Sequence, residues 1–365
     1  MIRTILRWFS QLFSNDSTTS KRPLKIRQAK TPSVRVGAIL LVGGFGTRLA
    51  PLTFSTPKPM LKVAGVPFTE HQILKAKAAN VSEIVLATSY LSEVFNPYFG
   101  TGEKFGIEIK YSVEQTALGT GGGIKLAAMQ LNACDLVVVF NGDVLSGHDL
   151  KKQIKFHQDQ SADVTLYLTQ VLDARAYGSV VLNKKNQVMS FNEKMENPPS
   201  NLINAGCYIF NRSVIEEISA NKVVSVERET FPELLNRGRK IFGFVDKNYW
   251  LDIGNPQALL KASTDIVTGK FKSPAFDLRN STNKNYPNAL IKSGAKIDAS
   301  SKIDGGTVIE SDVTIAEKCQ VRSSIIGTGA KIGSNCQIES SIVADFAQIP
   351  AGTIIINNYI GFSPK

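Results

Sequence analysis

Histidine, cysteine and tryptophan are scarce in this chain of 365 residues, with three, four and two copies. Cys134, Cys207, Cys319 and Cys336 lie far apart with no CxxC spacing, which excludes a cysteine-based zinc module and a disulfide framework and points to a reducing, cytoplasmic location. No run of 18 or more apolar residues occurs, so no transmembrane helix is expected. Arg3 and Arg7 interrupt the apolar residues at the N-terminus and no small-residue cleavage site follows, which argues against a secretory signal. Acidic residues are also short, 31 against 42 Lys plus Arg, for a net charge of +11. That excess is local: residues 1–35 hold eight cations against Asp16 alone, a net +7, leaving +4 for the other 330 residues. A nucleic-acid partner needs a basic face, and none is expected.

What is present is organised in blocks. In "MIRTILRWFSQLF" the apolar residues recur at helical spacing, and residues 14–35 then become basic and Ser/Thr-rich. Residues 1–35 therefore read as a disordered basic extension starting with an amphipathic helix, either a weak membrane-surface or partner anchor or an inert extension. From "VGAILLV" at residue 36 onward, unbroken apolar runs such as "EIVLATS", "DLVVVFNGD" and "ADVTLYLTQV" alternate with helical segments. That alternation predicts an α/β domain over residues 36–265 with a mostly parallel sheet, its ligands at the carboxyl ends of the strands. Residues 266–288 lack periodicity and read as a linker.

Beyond the linker, Ile291, Ile297, Ile303, Ile309, Ile315 and Val321 recur every six residues. After a five-residue step come Ile326, Ile332 and Ile338, and after another Val343, Ile349 and Ile355. A small or modest side chain follows most anchors by four residues, Cys319 and Cys336 among them. This is a hexapeptide repeat. It resembles the left-handed parallel β-helices in which three hexapeptides make one coil, which implies four coils over residues 289–358, with open ends and flat flanks available for homo-oligomer contacts.

The stretch "LLVGGFGTRLAPLTFSTPKPML" (40–61) follows the first apolar strand and combines Gly43, Gly44 and Gly46 with Arg48 and Lys58. Glycines let backbone approach a ligand closely. The GGFG string does not complete a dinucleotide fingerprint, because position 49 is Leu, and "GTGGGIK" (119–125) is not a phosphate loop of the Walker type. The stretch instead resembles the signature of the sugar-phosphate nucleotidyltransferases, a glycine-rich loop running through GTR-L-x-P-L-T to P-K-P, matched from Gly43 to Pro59 with Ala50 at the variable site. "NGDVLSGHDL", "NAGCYIF", "SVERETFPELL" and "YWLDIGNP" further resemble segments of the bacterial mannose-1-phosphate guanylyltransferases, a likeness that covers residues 36–355.

The resemblance implies a Rossmann-like catalytic domain followed by the β-helix, and a Mg²⁺-dependent transfer of a guanylyl group from GTP to mannose 1-phosphate. It implies Arg48 and Lys58 on the phosphates, the loop of Gly43, Gly44, Gly46 and Thr47 with Glu114 and Gly119 around the nucleotide, and Asp143 with Asp252 as metal ligands. Gly178, Glu193, Lys194 and Asn204 would take the sugar phosphate. Glu114 is a carboxylate where pyrimidine-using relatives tend to carry Gln, and a carboxylate suits the two adjacent N–H donors of guanine. Gly121 departs from the alanine common in the family. Alternatives are a glucose-1-phosphate thymidylyl- or uridylyltransferase and a non-catalytic regulatory or sensor subunit of the same architecture. An acetyltransferase role for the β-helix is excluded, since His71, His148 and His157 all precede it.

Overall fold

The computed structural model describes residues 34–362 except 45, 55, 89–91, 221, 277–281 and 284. The basic extension and its expected amphipathic helix lie, but for Val34 and Arg35, outside the described residues.

The catalytic half runs in the order β1 (Val36–Leu41), α1 (Phe68–Ala78), β2 (Glu83–Thr88), β3 (Glu108–Val113), α2 (Gly119–Ala128), β4 (Leu136–Asn141), β5 (Val144–Ser146), α3 (Leu150–Asp159), β6 (Val164–Gln170), β7 (Gly178–Leu182), β8 (Val188–Glu193), β9 (Leu202–Asn211), β10 (Ile241–Val245), β11 (Trp250–Asp252) and α4 (Pro256–Val267). Strand β1 is apolar and buried along nearly its whole length because it lies centrally, parallel to β2 on one side and β4 on the other. Alternate residues feed two cores. Ile39, Val85, Val137 and Val139 meet Ile124 and Ala127 of α2, whereas Leu40, Leu86, Val138 and Phe140 meet Ile73 and Ala76 of α1 and Ile154 of α3.

The nine-stranded sheet is parallel from β3 through β2 and β1 to β4, and again between β6 and β10. Its other half is organised by β9, which runs antiparallel to β4, β6 and β7. Leu41, Thr88 and Asn141, the last residues of β1, β2 and β4, therefore end on the same edge, and the functional loops leave from that edge.

Of the stretch expected as linker, Ile266 and Val267 close α4, and Thr282–Asn283 pairs antiparallel with Tyr286–Ile291. The repeats then wind into three parallel sheets, as expected of a left-handed β-helix. The six-residue anchors stack in register: Ile291 on Ile309, Ile326, Val343 and Ile360; Ile297 on Ile315, Ile332 and Ile349; Ile303 on Val321, Ile338 and Ile355. Cys319 and Cys336 are buried free thiols at equivalent points of successive coils.

One outer face of the β-helix is also apolar. Leu290, Val308, Ile325 and Ile342 share a core with Leu259, Leu260 and Ile266 of α4 and with Leu61, Val63 and Phe68 just after the Lys58 turn. Lys62 reaches across to the buried Glu310, Nζ to Oε2 3.0 Å. The residues that follow the glycine-rich loop thus rest on the β-helix.

Candidate active site

A cleft of about 500 Å³ opens at the strand ends, lined by Gly43 and Gly44 after β1, by Glu114 and Gly119 after β3, and by Lys58 and Asp143. The glycine-rich loop has its shape for steric reasons. Gly46 lies at φ 62°, and a Cβ there would stand 2.8 Å from Cβ of Lys58, so a side chain is excluded twice over. Leu49 and Leu52 are buried and pin the loop from beneath, which leaves Thr47 and Arg48 exposed at the rim. Pro57 leads into the Lys58–Met60 turn and places the Lys58 side chain in the cleft with 12% of its surface exposed.

Glu114 accepts from the backbone N–H of Leu118, Oε2 to N 3.0 Å, so one carboxylate oxygen serves the loop that enters α2. Its other oxygen lies where a Cβ on Gly123 would come within 2.5 Å. The helix is glycine-rich because other backbone crowds it. A Cβ on Gly121 would be 2.9 Å from Val224 Cγ1 and 3.1 Å from the Val224 carbonyl oxygen, a physical reason for glycine at the position where alanine is common. Gly121 donates its N–H to that same oxygen.

Asp143 and Asp252, 109 positions apart in the numbering, meet through the two-stranded ribbon β5–β11, in which Asp252 pairs with Val144 and Ile253 N–H donates to the Asp143 carbonyl at 2.8 Å. Lys58 Nζ donates to Asp143 Oδ2 at 3.1 Å. Asp252 Oδ1 is buried with no hydrogen-bond partner among the described residues. Burial first, then the charge of Asp143, push the Asp252 carboxyl above the ordinary carboxylate range, opposed by Lys58, Arg48 and Lys194. The Arg48 guanidinium lies close by: a Cβ on Gly254 would be 3.2 Å from its Nη1 and 3.5 Å from Asp252 Oδ1.

Two adjacent carboxylates with an orphaned oxygen suit a hard cation that fills its remaining positions with water and phosphate oxygens, as Mg²⁺ does. Among the described residues no set of three or more His, Cys, Asp or Glu side chains converges on a metal-sized site.

Helix α1 holds the Asp143 turn from behind. Gln72 Nε2 donates to the carbonyls of Asn141 and Val144, 2.8 and 3.1 Å, on either side of Asp143. Lys75 Nζ donates to the carbonyl and hydroxyl of Ser146, 2.7 and 3.0 Å, and burial lowers its pKa to about 8. None of the three histidines serves the cleft. Each is buried in structural hydrogen bonds, and burial lowers the pKa of each, that of His71 to about 4.

The remaining expected residues form a second group beside the carboxylate pair. Glu193 and Gly178 are register partners in β8 and β7, and a Cβ on Gly178 would touch Glu193 Oε2 at 2.8 Å. Burial, then the charge of Glu227, raise the Glu193 carboxyl. Lys194 sits at φ 47° with an exposed ammonium. Asn204 stands where β9 shifts register, its Nδ2 donating to the Tyr208 hydroxyl at 2.9 Å and its Oδ1 accepting from Gly206 N–H. Trp250 Nε1 donates to the Ala205 carbonyl, and its ring meets Tyr177 edge-on.

Sequence reasoning did not single out Gln72, Lys75, Thr120, Tyr208 or Glu227. A signal for the first pair exists: in "TEHQILKAKAA" Gln72 and Lys75 are three residues apart on a helix face that must pack on the sheet.

A three-layered α/β sheet with a phosphate-type glycine loop, a cation pair and a carboxylate pair at its strand ends defines a nucleotide-handling transferase. The chain belongs to the nucleotidyl transferase family, whose model matches residues 37–269. Residues 285–361 match the GMPPB C-terminal domain. Among curated relatives, the mannose-1-phosphate guanylyltransferase of Mycobacterium tuberculosis is 44% identical over 298 residues, 81% of each chain. Mannose-1-phosphate guanylyltransferase 1 of Arabidopsis thaliana is 35% identical over 79% of this chain and 78% of its own. Among solved structures, HddC from Yersinia pseudotuberculosis complexed with GMP-PN aligns with a TM-score of 0.54 at 30% identity, covering 62% of this chain and 97% of that one. A glucose-1-phosphate thymidylyltransferase structure from Bacillus anthracis shares the fold with a TM-score of 0.57 at 24% identity, over 62% of this chain and 93% of that one.

Proposed function

We propose that the chain is a mannose-1-phosphate guanylyltransferase, converting GTP and α-D-mannose 1-phosphate into GDP-mannose and pyrophosphate. The observation that carries this reading is the Lys58–Asp143 contact on the wall of the cleft, beside a buried Asp252 oxygen that has no hydrogen-bond partner among the described residues. An oxygen of the sugar phosphate bonds to the α-phosphorus of GTP while the bond from that phosphorus to the β-phosphate oxygen breaks, and the electron pair leaves with pyrophosphate. The nucleophile is already an anion, so no general base is required.

Each residue then has a definite task. The backbone of Gly43, Gly44, Gly46 and Thr47 receives the triphosphate, with Arg48 and Lys58 opposite the charge that grows on the leaving pyrophosphate. Glu114 and Gly119 face the base. Gly178, Glu193 and Asn204 take sugar hydroxyls, and Lys194 neutralises the sugar phosphate. Asp143 and Asp252 would hold Mg²⁺, which when bound supplies charge neutralisation and alignment of the phosphates.

Incubation of the full chain with GTP, mannose 1-phosphate and Mg²⁺ tests the reading by ³¹P NMR. GDP-mannose and pyrophosphate should appear in equal amounts, and pyrophosphate formation that does not depend on the sugar phosphate would contradict it.

A further inference from the structure

The segment "SVERET" has no task in the chemistry above, yet it forms a π-helical turn, Val226–Thr230, between the two groups of site residues. Its Glu227 is partly buried and collects three hydroxyl protons. Oε2 accepts from Thr120 Oγ1 at 2.7 Å and from Ser225 Oγ at 3.1 Å, and Oε1 accepts from the Tyr208 hydroxyl at 3.2 Å. Thr120 lies in the first turn of α2 and lines the nucleotide cleft. Tyr208 is fully buried and accepts from Asn204 Nδ2.

We propose that Glu227 is a positioning residue that couples the two substrate half-sites, tying Thr120 on the nucleotide side to Asn204 on the sugar side. The inference rests on the guanylyltransferase reading, which supplies the two ligands. Its physical basis is proton order. A hydroxyl carries one hydrogen, so with Tyr208 donating to Glu227 its oxygen is left to accept from Asn204, and this, together with the Gly206 N–H on Asn204 Oδ1, sets which way the Asn204 amide faces. Thr120 donates to the same carboxylate while accepting from Val226 N–H at 2.9 Å. Every bond in the chain runs toward Glu227, whose two oxygens accept from the two sides.

A nucleotide that orders the start of α2 thereby orders Glu227, Tyr208 and the Asn204 amide before the sugar phosphate arrives. By linkage the sugar phosphate tightens the nucleotide by the same factor. In Glu227→Gln the side-chain amide faces one of the two hydroxyls with a donor. If that hydroxyl is Tyr208, its proton turns toward Asn204 and opposes the Nδ2–H donor that the Gly206 bond holds in place.

The test is calorimetry on the full chain with Mg²⁺, using non-cleavable α,β-methylene-GTP with and without saturating mannose 1-phosphate. Wild type should bind the nucleotide more tightly in the presence of the sugar phosphate, on the order of tenfold. Glu227→Gln and the near-isosteric Tyr208→Phe should each bind nucleotide alone about as wild type does and lose most of that gain. Undiminished coupling in a folded Tyr208→Phe variant overturns the proposal, as does a wild type that binds both ligands independently. A wild type that binds neither ligand instead overturns the guanylyltransferase reading, and the proposal with it.

Discussion

Lys58 donates to Asp143 across 3.1 Å, joining two strand-end loops whose residues lie 85 positions apart in the chain. The contact sets a cation at the edge of the carboxylate pair, and in the proposed function this cation faces the leaving pyrophosphate while the carboxylates would hold the divalent ion. Removing either carboxylate should act on chemistry rather than on folding. Asp143→Asn and Asp252→Asn are expected to lower turnover by orders of magnitude with the thermal midpoint nearly unchanged. Steady-state kinetics at limiting and saturating Mg²⁺, with melting curves, check this.

Gln72 does not line the cleft that holds Lys58 and Asp143, yet it binds the carbonyls of Asn141 and Val144 on either side of Asp143. Gln72→Met keeps the length of the side chain and leaves two inward carbonyls without a donor, at a cost of roughly 1–3 kcal/mol each. We expect a lower thermal midpoint, a turnover reduced on the order of tenfold, and a raised Mg²⁺ requirement. A Mg²⁺ titration of the purified variant reads all but the first.

Parts of this architecture were legible in the sequence and parts were not. Repeats such as Ile297, Ile315 and Ile332 announced their stacking because a hexapeptide period has few other uses. Asp143 and Asp252 could each be marked after an apolar segment, but their meeting depends on the β5–β11 ribbon, which no local pattern specifies. The antiparallel placement of β9 was likewise hidden, since a strand buried on both faces reads the same in either direction. Glu227 was out of reach for a related reason: its partner Thr120 lies 107 residues earlier, and nothing in "SVERET" names it.

In the proposed function Glu114 carries the choice of base. One of its oxygens already accepts from Leu118 N–H, so the carboxylate both shapes the loop and faces the cleft. Glu114→Gln replaces an acceptor with an N–H donor that opposes a guanine N–H. Losing a bond to a charged group costs roughly 1.5–3 kcal/mol, on the order of tenfold to a hundredfold in kcat/KM for GTP. Use of dTTP or UTP should be unaffected or improved. Equal losses for purine and pyrimidine triphosphates would restrict Glu114 to its bond with Leu118.

Stability should depend on pH through the buried histidines. His71 is held neutral, Nε2–H donating to the Val63 carbonyl and Nδ1 accepting from Ser273, and burial depresses its pKa from 6.5 to about 4. The unfolded chain takes up a proton at His71 below about pH 6.5 and the folded chain does not until about pH 4. The stabilisation is therefore complete above pH 6.5 and drains away as pH falls toward 4, by on the order of 3 kcal/mol. His71→Gln should be less stable at neutral pH and lose less stability across that window. Chemical denaturation at pH 7.5 and pH 4.5 measures the difference.

The most direct measurement is kcat/KM for pyrophosphate release over a matrix of GTP, ATP, UTP and dTTP against mannose 1-phosphate, glucose 1-phosphate and N-acetylglucosamine 1-phosphate. The expected result is a single dominant pair, GTP with mannose 1-phosphate, whose turnover disappears when Mg²⁺ is chelated. A maximum at a pyrimidine triphosphate with glucose 1-phosphate, or no turnover in any cell of the matrix, would contradict the assignment.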